Sequence, residues 1–306
     1  MKNLIKVNQL FTNRVSESSL GKLLQFPLSR ILIALLFIAP VIAFHNAFSF
    51  IVLDNIDGHL QSILHYSETA ISIILIFLAY NLYVKKIEKR TAFEINTKKW
   101  YTEFSYGVLI GGGLVILTTL FLALSGFYKI ESFNSPFVLF ERIFRYGIGS
   151  FIEEIIFTII IFKLIEEFAG TITSTVIVSL LFGFMHLGND NATLMSSLCM
   201  AIEHIILLSP FILTRRIWMV WAVHFSWNYF QTAIFGMNNS GMAHKGFINP
   251  TITGPDWITG GSFGIEASYI AIILQCIVGI VILKYAYMQA QIVSPIWIRS
   301  KGNKLN

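Results

Sequence analysis

The stretch FIEEIIFT, from Phe151 to Thr158, sets two carboxylates side by side among isoleucine and phenylalanine, and Glu153 and Glu154 are the only charged residues between Gly147 and Phe162. An ionised carboxylate at the centre of a membrane helix costs roughly 2.5–3.5 kcal/mol on insertion scales. Charge carried at that cost points to chemistry, and Gly149 and Ser150, one turn earlier, leave room beside it for water or substrate. Neighbouring helix positions point about 100° apart, so both glutamates lean toward the bundle without reaching one point. The second pair, Glu166–Glu167, sits beside Lys163 at a helix end and reads as solvated or locally paired. The next span ends SLLFGFMHLGND, with Phe182 and His186 four apart on one face. In WAVHFSWNYF, His224 and Asn228 have the same spacing. They either hold helices together or aim two donors at one substrate oxygen. Glu203 either pairs with a neighbouring helix or joins the site; with His204 it is read as structural. A buried base, an imidazole and an amide on three helices are the components for hydrolysing an amide bond. Transporters also bury carboxylates, but with broken helices and internal repeats, and the sequence displays neither.

Positioning those residues falls to membrane helices. The chain has 306 residues, 55% of them hydrophobic and only 13% charged, about half the charge of a soluble domain. Spans of about 20 apolar residues are expected near 31–53, 66–84, 104–127, 137–165, 171–188, 192–213, 217–237 and 266–289. With the N-terminus inside, 18 of the 22 Lys/Arg fall on the inner side, leaving Lys129, Arg142, Arg145 and Lys245 outside. The expected fold is therefore an all-α polytopic membrane protein of about eight helices with both termini cytoplasmic, an integral protein of the plasma membrane. Its parts are a basic membrane-surface segment (1–30), N-terminal helices (31–136), a core carrying the polar residues (137–289) and a cytoplasmic tail (290–306). The basic net charge of +5 is membrane topology, and no nucleic-acid partner is expected. Cys199 and Cys276 lie in apolar runs and form no disulfide framework. No cleavable signal peptide is evident.

The order and spacing of these residues resemble the CPBP intramembrane proteases, the family of the CAAX-processing endopeptidases and of bacteriocin-processing, Abi-like relatives. Its motifs EExxxR, FxxxH and HxxxN/D, on an eight-span helical fold, correspond here to EEIIFT (Glu153–Thr158), FGFMH (Phe182–His186) and HFSWN (His224–Asn228). The loop GPDWITGGSFGIEAS, Gly254 to Ser268, is similar to the bacterial members. The resemblance covers roughly residues 137–270. It implies an endopeptidase acting on a membrane-associated protein or peptide, in contact with membrane lipid. Glu153 would activate water beside Glu154, His186 would assist, and His224 with Asn228 would stabilise the oxyanion. No cofactor is required in that reading; a zinc variant would use Glu153, His186 and His224 as ligands. One departure stands out: the family's arginine is Thr158 here, able to offer Glu154 only a neutral hydrogen bond, with no nearby cation to substitute. That departure favours the alternative of a non-catalytic immunity or scaffold protein retaining the fold; a channel or proton-coupled transporter is third. Depth adds a tension. Glu153 lies ~15 Å, His224 ~12 Å and His186 ~22 Å along their spans at 1.5 Å per residue, so the three meet only if the fifth helix tilts or begins outside the bilayer.

Overall fold

A computed structural model describes residues 4–12, 18–55 and 59–302. Lys2, Arg14 and Lys304, which enter the charge count, lie outside the described residues. Ser18 caps helix α1 (Ser19–Gln25) by accepting from the Gly21 N–H. Pro27, at the first helical position, opens α2 (Pro27–Ile51). α3 (His59–Tyr83) continues with π winding through Val84–Glu88, and α4 (Trp100–Leu124) leads into strand β1 (Tyr128–Phe133). α5 (Phe137–Glu153) turns π-helical over Glu154–Phe162 and runs into α6 (Lys163–Met185). α7 (Leu194–Thr214) starts on a Thr193/Ser196 capping box. α8 (Ile217–Asn228) passes into a π-wound turn, Tyr229–Ile234. Strand β2 (Ile248–Ile252), the short α9 (Asp256–Thr259), α10 (Tyr269–Met288) and α11 (Ile296–Gly302) complete the chain.

Among the described residues, five stretches are long and apolar enough to cross a bilayer: Pro27–Ile51, Leu60–Glu88, Trp100–Leu124, Leu194–Thr214 and Tyr269–Met288. The protein is a mostly helical, polytopic membrane protein. The three other expected spans, 137–165, 171–188 and 217–237, fall on α5, α6 and α8, which carry the motif residues. Each gives up apolar length: α5 holds Glu141, Arg142 and Arg145, α6 breaks at Gly170, and regular α8 has 12 residues. The expectation of an all-α chain is corrected by an antiparallel pair, Tyr128 opposite Ile252 and Phe133 opposite Ile248, with an irregularity between Ile130 and Ser132. YKIESF, rich in β-branched and aromatic residues, gains a hydrogen-bonded partner there instead of forming an outer loop.

Two glycine contacts place the site helices. A Cβ on Gly107 would fall 2.5 Å from the Met219 carbonyl oxygen, and one on Gly111 would fall 2.3 Å from that of Val223. This small-x-x-x-small seam lets α4 and α8 touch backbone to backbone. At Gly170 (φ +79) a Cβ would lie 2.7 Å from the Val293 carbonyl oxygen. The break between the two halves of α6 is thus seated against the segment after α10.

One end of the bundle is tied by buried ion pairs. Arg30 reaches Glu88 (2.6 Å) and Glu167 (2.7 Å), and Lys163 Nζ sits 2.9 Å from both Glu88 oxygens. Arg90 bonds Glu88 (2.7 Å) and Glu94 (2.8 Å). Arg215 forks onto Glu166 at 2.5 and 3.1 Å. The expectation of solvated or local pairing at Glu166–Glu167 is therefore corrected. Glu166 and Lys163 are fully buried, and their partners are 49 and 75 residues away in sequence. A buried charge is tolerable only when paired.

Candidate active site

Glu153 and Glu154 stand where α5 changes from α to π winding, a local irregularity frequent at functional sites. The change sends the two carboxylates to different surroundings. The Glu153 side chain is 40% exposed and faces a cavity of about 220 Å³, whereas that of Glu154 is 1% exposed and packed behind it. Glu154 Oε1 lies 2.8 Å from His224 Nδ1, and its Oε2 accepts a 2.6 Å hydrogen bond from the Thr158 hydroxyl. The neutral bond expected from Thr158 is thus present, one helical turn on. The other oxygen of the carboxylate is taken by the His224 ring, delivered by α8. Because Glu154 can only accept when ionised, His224 Nδ1 carries hydrogen and the ring orientation is set. His224 Nε2 then points toward Glu153 Oε2 at 3.7 Å. That is beyond hydrogen-bond range, so Nε2 stays available to a group entering the cavity.

His186 follows the last turn of α6. Its Nδ1–H donates to the Phe182 carbonyl at 2.8 Å, which leaves Nε2 as the accepting nitrogen. Phe182 is itself held: its ring stacks on His204 (4.2 Å, 19° between planes) and meets Phe157 edge-on at 5.1 Å. His204 Nδ1 is 3.1 Å from the Ser179 hydroxyl. The structural reading of His204 agrees with this placement beneath the Phe182–His186 turn.

Glu153, His186, His224 and Asn228 line the one cavity, together with Phe182. The depth tension is resolved in geometry. Gly170 separates the second half of α6, and Gly183 brings that half against α7, where a Cβ would fall 2.3 Å from the Ser197 carbonyl oxygen. Glu203, expected to be structural, also lines the cavity and accepts from Gln275 Nε2 at 3.1 Å. Sequence reasoning did not single out Asn239, Ser240, Glu266 and Gln275, which line it as well. The signal for Glu266 lay in the family-like loop GPDWITGGSFGIEAS, in which it is the one glutamate. Glu266 lies outside the spanning helix Tyr269–Met288, and burial pushes its carboxyl up to about 7 although Gln231, Ser240 and Asn239 all donate to it. Opposite the polar groups the wall is apolar, with Leu114, Leu207, Val223, Trp227 and Val278.

The zinc variant was tested against this geometry. Among the described residues no three His, Cys, Asp or Glu side chains are grouped so as to hold a metal ion. His224 Nδ1 is held by Glu154 and His186 Nδ1 by a backbone carbonyl, which leaves the Nε2 atom of each ring as its one ligand atom, and with Glu153 these are not grouped closely enough to hold one ion.

Comparison with known proteins agrees with the geometry. The family model described as Rce1-like, type II CAAX prenyl endopeptidase Rce1-like, matches residues 135–230, the stretch from the start of α5 to just past Asn228. No curated protein and no solved structure matches the chain.

Proposed function

We propose, from the premise that residues 135–230 form an Rce1-like type II CAAX prenyl endopeptidase family domain, that the protein is an intramembrane endopeptidase whose general base is Glu153. The observation that carries this reading is the single cavity into which Glu153, His186, His224 and Asn228 all open. Water held between Glu153 and His186 loses a proton to the carboxylate as its oxygen attacks the substrate carbonyl. The negative charge that develops on the carbonyl oxygen is met by the Asn228 amide N–H and, with the His224 ring carrying hydrogen on both nitrogens, by its Nε2–H, both fixed in place before the reaction. The proton on Glu153 returns to the leaving amine. Glu154 touches no substrate; with Thr158 it aligns the His224 ring.

The apolar wall suits a membrane-embedded segment or a lipid-modified peptide, and the substrate class is a membrane-associated protein or peptide. Eight spans with both ends cytoplasmic in the plasma membrane are part of the same proposal. It is supported by the ion-pair cluster, which gathers Arg30, Arg90, Lys163 and Arg215 at one end of the bundle, all from segments the charge count assigns to the inner face. The basic segment 1–30 would lie along that face.

The test is cleavage of a peptide and membrane-protein library by the purified protein in lipid, comparing wild type with Glu153→Ala and His186→Ala. Loss of cleavage in both variants, with thermal unfolding unchanged, is the expected result. The absence of Arg at position 158 favours the second reading, a non-catalytic binding protein. A wild type that cleaves nothing in a library cut by an arginine-bearing relative would establish that instead.

A further inference from the structure

We propose that Glu266 is a positioning residue: acting through Asn239, it holds the Asn228 side chain with its amide nitrogen turned into the cavity. The consequence for catalysis rests on the peptidase reading above. The argument is one of donors and acceptors. A side-chain amide has an accepting oxygen and a donating nitrogen, and which way it faces is settled by its partners. Glu266, 2% exposed, receives the Ser240 backbone N–H on Oε1, so that oxygen is an acceptor in the carboxylate and equally in the acid with its proton on Oε2. Its Oε1 lies 2.7 Å from Asn239, so Asn239 must present its Nδ2 there. The second hydrogen on that nitrogen goes to Asn228 Oδ1 at 2.9 Å. Asn228 is thereby held by its oxygen, which leaves its own Nδ2 on the opposite side of the planar amide, toward the cavity it lines.

The surroundings are built to keep Glu266 still. Gln231 Nε2 donates to its Oε2 at 2.6 Å, and the Ser240 backbone N–H donates to Oε1 at 3.1 Å. Gly264, at φ +126, leaves no space for a side chain: a Cβ would fall 2.4 Å from Glu266 Oε2 and 2.5 Å from the Asn238 carbonyl oxygen. The loop carrying Asn239 is clamped in turn, Asn189 donating to the Ser240 carbonyl and Asn191 to that of Gly241, each at 2.9 Å. Asn239 and Glu266 both lie beyond the stretch that matches the family model.

Two measurements on the full-length protein in lipid nanodiscs test this. The first needs no substrate: thermal unfolding of Asn228→Ala, Glu266→Leu and the double variant. Each single change is expected to lower Tm by about 2–4 °C, with the double variant no lower than the weaker single, because both remove one connected unit. Additive shifts would overturn the proposal whether or not the protein is a protease. The second is hydrolysis of a fluorogenic farnesylated CAAX peptide. Glu266→Leu is expected to lower kcat roughly 10- to 100-fold at unchanged KM, Glu266→Gln to restore most of it, and Glu266→Leu to cost nothing more in the Asn228→Ala background. A full further loss in that background would show Glu266 acting by another route and would also overturn it. If the wild type leaves the peptide intact, the peptidase reading fails for that substrate, and the unfolding cycle alone decides the positioning role.

Discussion

At the residue scale, the Glu153–Glu154 pair divides into a carboxylate that meets the cavity and one that never does. Replacing Glu153 with Gln keeps shape and removes the proposed base, so kcat is expected to fall ~10²–10⁴-fold with Tm unchanged, measured on the substrate identified by the cleavage screen. Thr158→Val takes one of two partners from a buried carboxylate; a loss of about 1.5–3 kcal/mol, read by thermal unfolding, is the expected outcome, together with slower turnover as His224 loses its alignment. Glu266 carries a pH signature with a definite sign. In the folded protein it keeps its proton up to about 7, whereas the ordinary value, expected in the unfolded chain, is 4.5. Between those values the folded state binds more protons, so its stability falls as pH rises, by about 1.4 kcal/mol per unit at most, and levels off above 7. Wild-type Tm should therefore decline from pH 5 to pH 7, and Glu266→Gln should flatten that slope.

At the element scale, the geometry of the candidate site depends on how closely α8 approaches α4. His224 directly follows Val223, and Asn228 lies little more than one turn past it, on the helix that Gly107 and Gly111 contact at Met219, Ala222 and Val223. Gly111→Val would force the helices apart, since the Val223 carbonyl is backbone and cannot swing aside. A cost of about 1–3 kcal/mol from overpacking is expected, with kcat reduced although no cavity-lining side chain has changed. Thermal unfolding and turnover measured together check it. The helix types at the site were only partly legible. Period and apolar content in the sequence place α5, α6 and α8 to within a few residues, but π winding after Glu153 leaves no mark in composition. It is set by how Ile155, Phe157, Ile159 and Ile160 pack into the core.

At the scale of the whole molecule, the buried ion pairs tie the start of α2, the π-wound end of α3, the start of α6 and the turn after α7 together at one end. Lys163→Met would leave Glu88 facing Arg30 and Arg90 alone. A loss of roughly 3 kcal/mol, the low end for breaking a buried pair, is expected in chemical or thermal unfolding. Adding Glu88→Gln should recover part of it, because Arg30, Arg90 and Lys163 balance Glu88, Glu94 and Glu167 in the native cluster and the second change restores that neutrality. Sequence reading counted Lys163 and Arg215 as charges of the inner face and assigned Glu166–Glu167 to local pairing. The error has one physical source: charge type is visible in the sequence, but its partner 49 or 75 residues away is not.

By itself the sequence determined the solvent, the helical class and the chemistry on offer. Those follow from apolar runs of about 20 residues, from basic residues gathered in the intervening segments, and from carboxylates, imidazoles and an amide at four-residue spacing. The sequence also marked Thr158 as a neutral partner for Glu154, because i to i+4 contact is local. Only the tertiary structure decided which glutamate meets the cavity, that His224 takes the second oxygen of Glu154, and that Asn239 and Glu266 reach Asn228. Each of those depends on the rotation of one helix or loop against another, which is set by packing between residues distant in the chain.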